Sequence, residues 1–186
     1  MTNIKWVTLF SQSGREIAEV AKQLGRTPDL INTNQRPESV RTISQEILNL
    51  GQPVVTLPNK PTVKDYQEIL SSVGTVPDNI VITLHGWLRI IPQEIIQEYP
   101  YMVNGHPGLI TKYPELKGKD PQLKAWNLGL ETSGCVIHRV IPEVDSGSIL
   151  REQEISIRNL NLPELFANLH KTSVDLWVKF LKRHWL

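Results

Sequence analysis

The chain has 186 residues, 40% hydrophobic and 21% charged, and its 20 Lys+Arg against 19 Asp+Glu leave a formal charge of +1. This balance excludes a disordered, collagenous or coiled-coil chain and gives no broad basic footprint for duplex nucleic acid. With Cys135 as the only cysteine, an internal disulfide and a cysteine-based zinc site are excluded, so core burial must hold the fold. No run reaches the roughly 18 apolar residues of a membrane helix, and the start carries no basic leader with a cleavage site. The expectation is a cytoplasmic protein without a membrane partner, a single domain over residues 1–186, with a small-molecule ligand.

Short β-rich runs alternate with stretches of 3.6-residue period, the pattern of βαβ units around a mostly parallel sheet. Ile4 to Phe10 reads as a buried strand. After the turn Ser11-Gln12-Ser13-Gly14, Ile17, Val20, Ala21 and Leu24 recur at helical spacing until Gly25. Leu30 and Ile31 form a short second strand. Val40, Ile43, Ile47 and Leu48 form a helical face ending at Gly51, and Pro53 to Leu57 the third strand. Thr62 and Asp65 are spaced as a capping pair for a helix that buries Val63, Tyr66, Ile69, Leu70 and Val73. The most apolar strand is Ile80 to Leu84; Pro92 suits the first position of a helix over Gln93 to Glu98, and Tyr101 to Val103 is another strand. Residues 104–120 lack periodicity and read largely as loop. Asp120-Pro121 opens a helix that Gly129 stops. Cys135 to Ile141 and Ile149 to Ile157 read as a late antiparallel pair across the turn 142–148. A long closing helix sets Leu165, Phe166, Leu169, Leu176, Trp177, Phe180 and Leu181 on one face, against Lys171, Asp175, Lys179 and Lys182 on the other.

Asn104-Gly105-His106-Pro107-Gly108-Leu109 follows a predicted strand, which puts an amide and an imidazole at the carboxyl edge of the sheet, where ligands of open α/β folds bind. Asn is a neutral hydrogen-bond donor and His moves protons near neutrality, a pairing that suits an oxyanion formed in acyl transfer; the same two residues also serve to tie down a turn. Asp145, in a Gly-containing turn, would orient His106 and hold it protonated if the sheet brings the two together. Alone it carries little information.

The combination of His85-Gly86-Trp87-Leu88-Arg89-Ile90-Ile91, Asn104-Gly105-His106-Pro107-Gly108-Leu109 with Lys112-Tyr113-Pro114, Ser133-Gly134-Cys135-Val136-Ile137-His138, and Val144-Asp145-Ser146-Gly147 resembles the formyltransferase family, above all its glycinamide ribonucleotide branch. Order and spacing agree over residues 80–157, and a weaker likeness extends over nearly the whole chain. The resemblance implies an α/β formyltransferase-like fold, with a Rossmann-type first half, a mostly parallel twisted sheet and a late antiparallel strand pair. It implies transfer of a formyl group from 10-formyltetrahydrofolate to a small-molecule amine, with no metal. Asn104, His106 and Asp145 match the family's catalytic Asn, His and Asp: Asn104 and protonated His106 would donate to the oxyanion, and Asp145 would relay the proton and raise the pKa of His106.

Leu88, Arg89, Ile90 and Ile91 match one wall of the family's pterin pocket, and the turn from Ile141 through Val144 to Asp145 the other. Ser13, Gly14, Arg15 and Glu16 lie at the phosphate-binding loop, and His138 matches a histidine on the substrate wall. The implied acceptor is glycinamide ribonucleotide or a related phosphorylated amine. Three departures stand out: Arg15 and Glu16 replace the family's Ser-Asn, Val136 a Ser, and Gly105 an apolar residue. An amino-sugar nucleotide acceptor and a catalytically idle folate- or nucleotide-binding module remain as alternatives. Two-domain relatives, the methionyl-tRNA enzyme and the formyltetrahydrofolate hydrolase, fit the length less well. A homodimer is left open.

Overall fold

The computed structural model describes residues 4–35 and 43–184. Seven strands form one sheet: β1 (Lys5–Phe10), β2 (Leu30–Thr33), β3 (Val54–Thr56), β4 (Ile80–His85), β5 (Met102–His106), β6 (Thr132–Arg139) and β7 (Ile149–Ser156). Their spatial order is β3-β2-β1-β4-β5-β6-β7. The first five run parallel, while β6 is antiparallel to β5 and β7 to β6. The expected parallel half and late antiparallel pair are both present.

The helices are α1 (Arg15–Leu24), α2 (Gln45–Leu48), α3 (Val63–Ser71), α4 (Gln93–Glu98), α5 (Pro121–Asn127) and α6 (Leu162–His184). Thr62 and Asp65 form the expected capping box, satisfying amides at both ends of the first turn. Pro92 is the residue flanking α4 rather than its first helical one, because its ψ of 143° is extended. Ile47 is fully buried on α2 whereas Leu48 is exposed, and Val40 lies outside the described residues. On α6 the expected apolar face holds except at Phe166, which is 44% exposed near the start of the helix. Among the described residues no helix is long and apolar enough to cross a membrane.

β1 and β4 occupy the centre of the parallel half and are buried along nearly their whole length, as strands covered on both faces must be. Trp6, Val81, Val103, Val136 and Ile137 join Trp177, Phe180 and Leu181 of α6 in one cluster; Val7, Ile82, Tyr66, Leu70 and Ile95 form another under α3 and α4. Each fully buried side chain of this size contributes about 1.5–3 kcal/mol, so the centre of the sheet is a rigid base for the strand ends that follow.

One boundary differs from expectation in a way that matters for the site. Asn104, Gly105 and His106 belong to β5 and not to the loop after it. Their composition looks loop-like, yet β4 pairs on one side through Leu84↔Asn104, and β6 on the other through Asn104↔His138 and His106↔Val136. Pairing on both sides overrides the weak strand propensity of Asn and Gly.

Candidate active site

Residues 104 and 106 are two apart on β5, so both side chains project to the same face, and cross-strand pairing puts His138 beside Asn104. Asn104 Nδ2 lies 3.0 Å from His138 Nε2 and donates to Asp145 Oδ1 at 3.4 Å. The other carboxylate oxygen, Oδ2, accepts from the Gly118 amide at 2.8 Å and lies 3.4 Å from His106 Nδ1. Asp145 Oδ1 is also 3.3 Å from His138 Nε2. Three expected residues therefore converge, although 39 positions separate His106 from Asp145 in sequence. His138 joins them as a direct partner.

Asp145 reaches this position because the β6–β7 turn folds back on β6. Its φ is 49°, in the left-handed region that Asp tolerates through local hydrogen bonding. Gly147 makes the fold-back feasible: a Cβ there would stand 1.9 Å from the Arg139 carbonyl oxygen. The Arg139 amide in turn donates to the Ser148 carbonyl at 3.0 Å, closing the turn.

Gly105 has a similar cause. A Cβ at this position would lie 2.6 Å from Trp177 Nε1, so the indole of α6 fills the space that a side chain here would need. The same indole stacks on the His85 ring, with centroids 4.5 Å apart. His85 Nδ1 is 2.7 Å from Glu16 Oε1, and its Nε2 is 3.0 Å from Thr83 Oγ1, which accepts from Trp6 Nε1 at 2.9 Å. Glu16 thus points inward from the first turn of α1. Burial would raise its pKa, but hydrogen bonding to His85 and Ser173 brings it below the ordinary carboxylate value. Gly14 flanks the helix, the Ser13 hydroxyl accepts from the Arg15 amide at 3.4 Å, and Arg15 turns to Glu19 at 2.9 Å. Neither charged side chain of the predicted anion loop points into it without a partner.

Burial would raise the pKa of Asp145, but the His138 hydrogen bond, the charge of His106 and the Gly118 amide pull it down to about 2. His106 moves opposite to expectation. Burial, reinforced by His138 and Lys124, outweighs the attraction of Asp145 and carries the imidazole below its ordinary value. Its Nε2 donates to the Leu116 carbonyl at 2.8 Å, so the ring is anchored on the side away from Asp145.

Beside these groups an open cleft runs between β4, β5 and the turn after β6. Trp87, Ile90, Ile91, Val140, Ile141 and Val144 supply apolar walls, while Arg89, Glu143, Asn104, His138 and Asp145 supply polar groups. Apolar walls with a few polar groups among them are the usual make-up of a small-molecule site. Of the residues expected to line a pterin pocket, Arg89, Ile90, Ile91, Ile141 and Val144 line this cleft. Leu88 is outside this lining; its side chain is exposed and its amide donates to Ser11 Oγ at 2.9 Å. His106 is also outside it, behind Asp145. Among the described residues no group of His, Cys, Asp and Glu is arranged to hold a metal ion.

A family model described as "Formyl transferase" matches residues 29–178. The chain belongs to the formyl transferase family. Among solved structures it is similar to a phosphoribosylglycinamide formyltransferase from Anaplasma phagocytophilum, with TM-score 0.81 and 20% identity over 97% of this chain and 86% of that one. The Streptococcus pneumoniae TIGR4 phosphoribosylglycinamide formyltransferase gives TM-score 0.80 and 21% identity over 98% and 99%. A formyltetrahydrofolate deformylase from Pseudomonas syringae pv. tomato gives TM-score 0.75 and 17% identity, and this chain spans only 61% of its length. No curated protein sequence matches. These likenesses bear out the family and the α/β fold read from the sequence.

Proposed function

We propose that this protein transfers a formyl group from 10-formyltetrahydrofolate to the nitrogen of a small-molecule amine, in a single domain and without a metal. The observation that carries the reading is that Asn104 and His106 each come within 3.4 Å of Asp145 beside a largely apolar open cleft. When bound, the folate supplies an activated formyl carbon. The apolar faces of Ile90, Ile91, Ile141 and Val144 would cover its ring, with backbone groups of the 88–91 and 141–145 segments at the ring edge.

The chemistry then follows from the side chains. A neutral amine attacks the formyl carbon and pushes negative charge onto the carbonyl oxygen. Asn104 Nδ2 donates a hydrogen bond to that oxygen. Asp145 is ionised at any physiological pH and faces the positive charge that develops on the attacking nitrogen. His106 acts through Asp145: hydrogen-bonded to the Leu116 carbonyl on one side and facing Oδ2 on the other, it fixes where the carboxylate points. In this arrangement His106 is a positioning residue, one step removed from the oxyanion contact that its motif implies.

Glycinamide ribonucleotide is the first acceptor to assay, with phosphate contacts from the 13–16 loop and a contact from His138. The inward turn of Glu16 and the Arg15–Glu19 pair favour widening the panel to amino-sugar nucleotides and unphosphorylated amines. The test is production of tetrahydrofolate from 10-formyltetrahydrofolate with each amine in turn. Asn104→Ala is expected to cost kcat about 100-fold or more, as loss of an oxyanion donor does. An Asn104→Ala protein as fast as wild type, or a wild type inactive with every amine, would refute the reading; the latter result would leave a binding module of the same fold.

A further inference from the structure

Two imidazoles flank Asp145, and their hydrogen bonds give them different capacities. The Nε2 of His106 faces a carbonyl oxygen at 2.8 Å and so carries a hydrogen in every charge state; its Nδ1 faces only Asp145 Oδ2, and the ring is outside the cleft wall. His138 is built the other way round. Its Nδ1 lies 2.8 Å from the Arg139 carbonyl and is therefore the permanently protonated nitrogen. Its Nε2 stands in the cleft wall, 3.0 Å from Asn104 Nδ2 and 3.3 Å from Asp145 Oδ1. A neutral ring accepts there from Asn104, and a charged ring donates to Asp145. Gain or loss of one proton at Nε2 leaves the ring satisfied in both states, which His106 does not achieve. The two rings are 6% and 4% exposed, so partners and placement separate them, not burial.

We propose that His138 is a catalytic residue of this site, its Nε2 carrying the proton from the attacking amine to the departing folate nitrogen. The proposal rests on the formyl-transfer reading. As the amine nitrogen bonds to the formyl carbon, the carbonyl electron pair moves to oxygen and the nitrogen becomes positively charged. Neutral His138 takes one proton from that nitrogen, and the imidazolium is held by Asp145. The ring returns the proton to the folate nitrogen as its bond to carbon breaks and the carbonyl re-forms. Formamide and tetrahydrofolate result, with no net proton released and His138 neutral again. The low pKa of Asp145 points the same way, because a carboxylate near 2 is a weak base at neutrality. The charged and titratable groups around the ring are Asp145 from the β6–β7 turn and His106 behind it, with Arg89 and Glu143 on the cleft walls.

His138→Gln keeps a polar side chain without a titrating proton. With 10-formyltetrahydrofolate and glycinamide ribonucleotide as probe substrates, or another amine that wild type formylates, kcat is expected to fall about 100-fold or more, with the donor KM held within about threefold. An ionisation that limits kcat in the wild-type pH profile should be absent from the variant's profile. Wild-type kcat in this variant overturns the role of His138 and leaves formyl transfer standing; a wild-type protein that formylates no amine overturns both. NMR of wild type labelled with ¹⁵N-histidine gives a readout free of turnover and of variant folding. It should find His138 protonated at Nδ1 at every pH, with Nε2 alone titrating; a neutral ring carrying its hydrogen on Nε2 would overturn the proposal.

Discussion

Two imidazole–carboxylate clusters sit at the carboxyl ends of neighbouring strands, and they have opposite characters. At the end of β4, His85 joins Glu16 and Thr83, and the Trp177 ring covers it. Trp6 donates to Thr83, and both His85 nitrogens are engaged, Nε2 by Thr83 Oγ1 and Nδ1 by Glu16, leaving no imidazole nitrogen for a ligand. At the end of β5, Asn104, His138 and Asp145 line a cleft, and their bonds at 3.0–3.4 Å are rearrangeable. The residue types are nearly the same. What differs is whether a large side chain lies over the polar groups or open space does, and this seals one cluster into the fold and leaves the other open to a ligand.

The sharpest way to break this contrast is to remove the charge on the open side. Asp145→Asn should lower kcat/KM about 10³-fold while the protein stays folded, read by steady-state kinetics beside circular dichroism. A loss below about tenfold would deny that carboxylate its role. The sealed side should respond in the other currency: His85→Ala leaves the part-buried Glu16 without its imidazole partner and should cost about 2 kcal/mol of unfolding free energy, measured by urea titration. Its kcat, assayed well below the melting temperature, should stay within about threefold of wild type. A collapse of kcat there would mean that the two clusters are one.

A smaller effect sharpens the electrostatics. Asp145 has a folded-state pKa of about 2, below its ordinary 3.8, so it contributes stability in full above about pH 4 and loses it as pH falls towards 2. The depression amounts to about 2 kcal/mol at 1.4 kcal/mol per unit. His106, lowered by burial, adds a loss in the same direction that begins below its ordinary 6.5, because the unfolded chain takes up the proton more readily. Urea titrations of wild type and Asp145→Asn between pH 6 and 2 should show that the stability difference due to this carboxylate shrinks with acid; a difference that grows would reverse the sign.

Much of this was legible in the chain. The switching between periods 2 and 3.6 specifies the parallel half of the sheet, since each buried strand is followed by an amphipathic helix. The motif segments around Asn104, His106 and Asp145 point to one site, because their order and spacing match a known arrangement. The bond between Glu16 and His85 was not legible: 69 residues separate the two, and a carboxylate in the first turn of a helix reads as exposed. Nor was the cause of Gly105, which is an indole 72 positions away that takes the room a side chain would need. Local composition also misplaced the end of β5, because strand pairing on both sides is a tertiary fact. The direction of the His106 shift was hidden for a related reason: burial is set by everything packed around the ring, whereas sequence displays only the charge beside it.

The division of labour between ladder and turn has an evolutionary corollary. Asn104 and His138 face each other across paired strands, so their spacing is as invariant as the sheet itself, whereas Asp145 and one wall of the cleft belong to a turn that Gly147 folds back. Residues 141–144 can therefore be exchanged or extended to admit a differently shaped donor while the amide–imidazole pair keeps its geometry. Directed libraries confined to that stretch would explore new ligands without having to rediscover the chemistry.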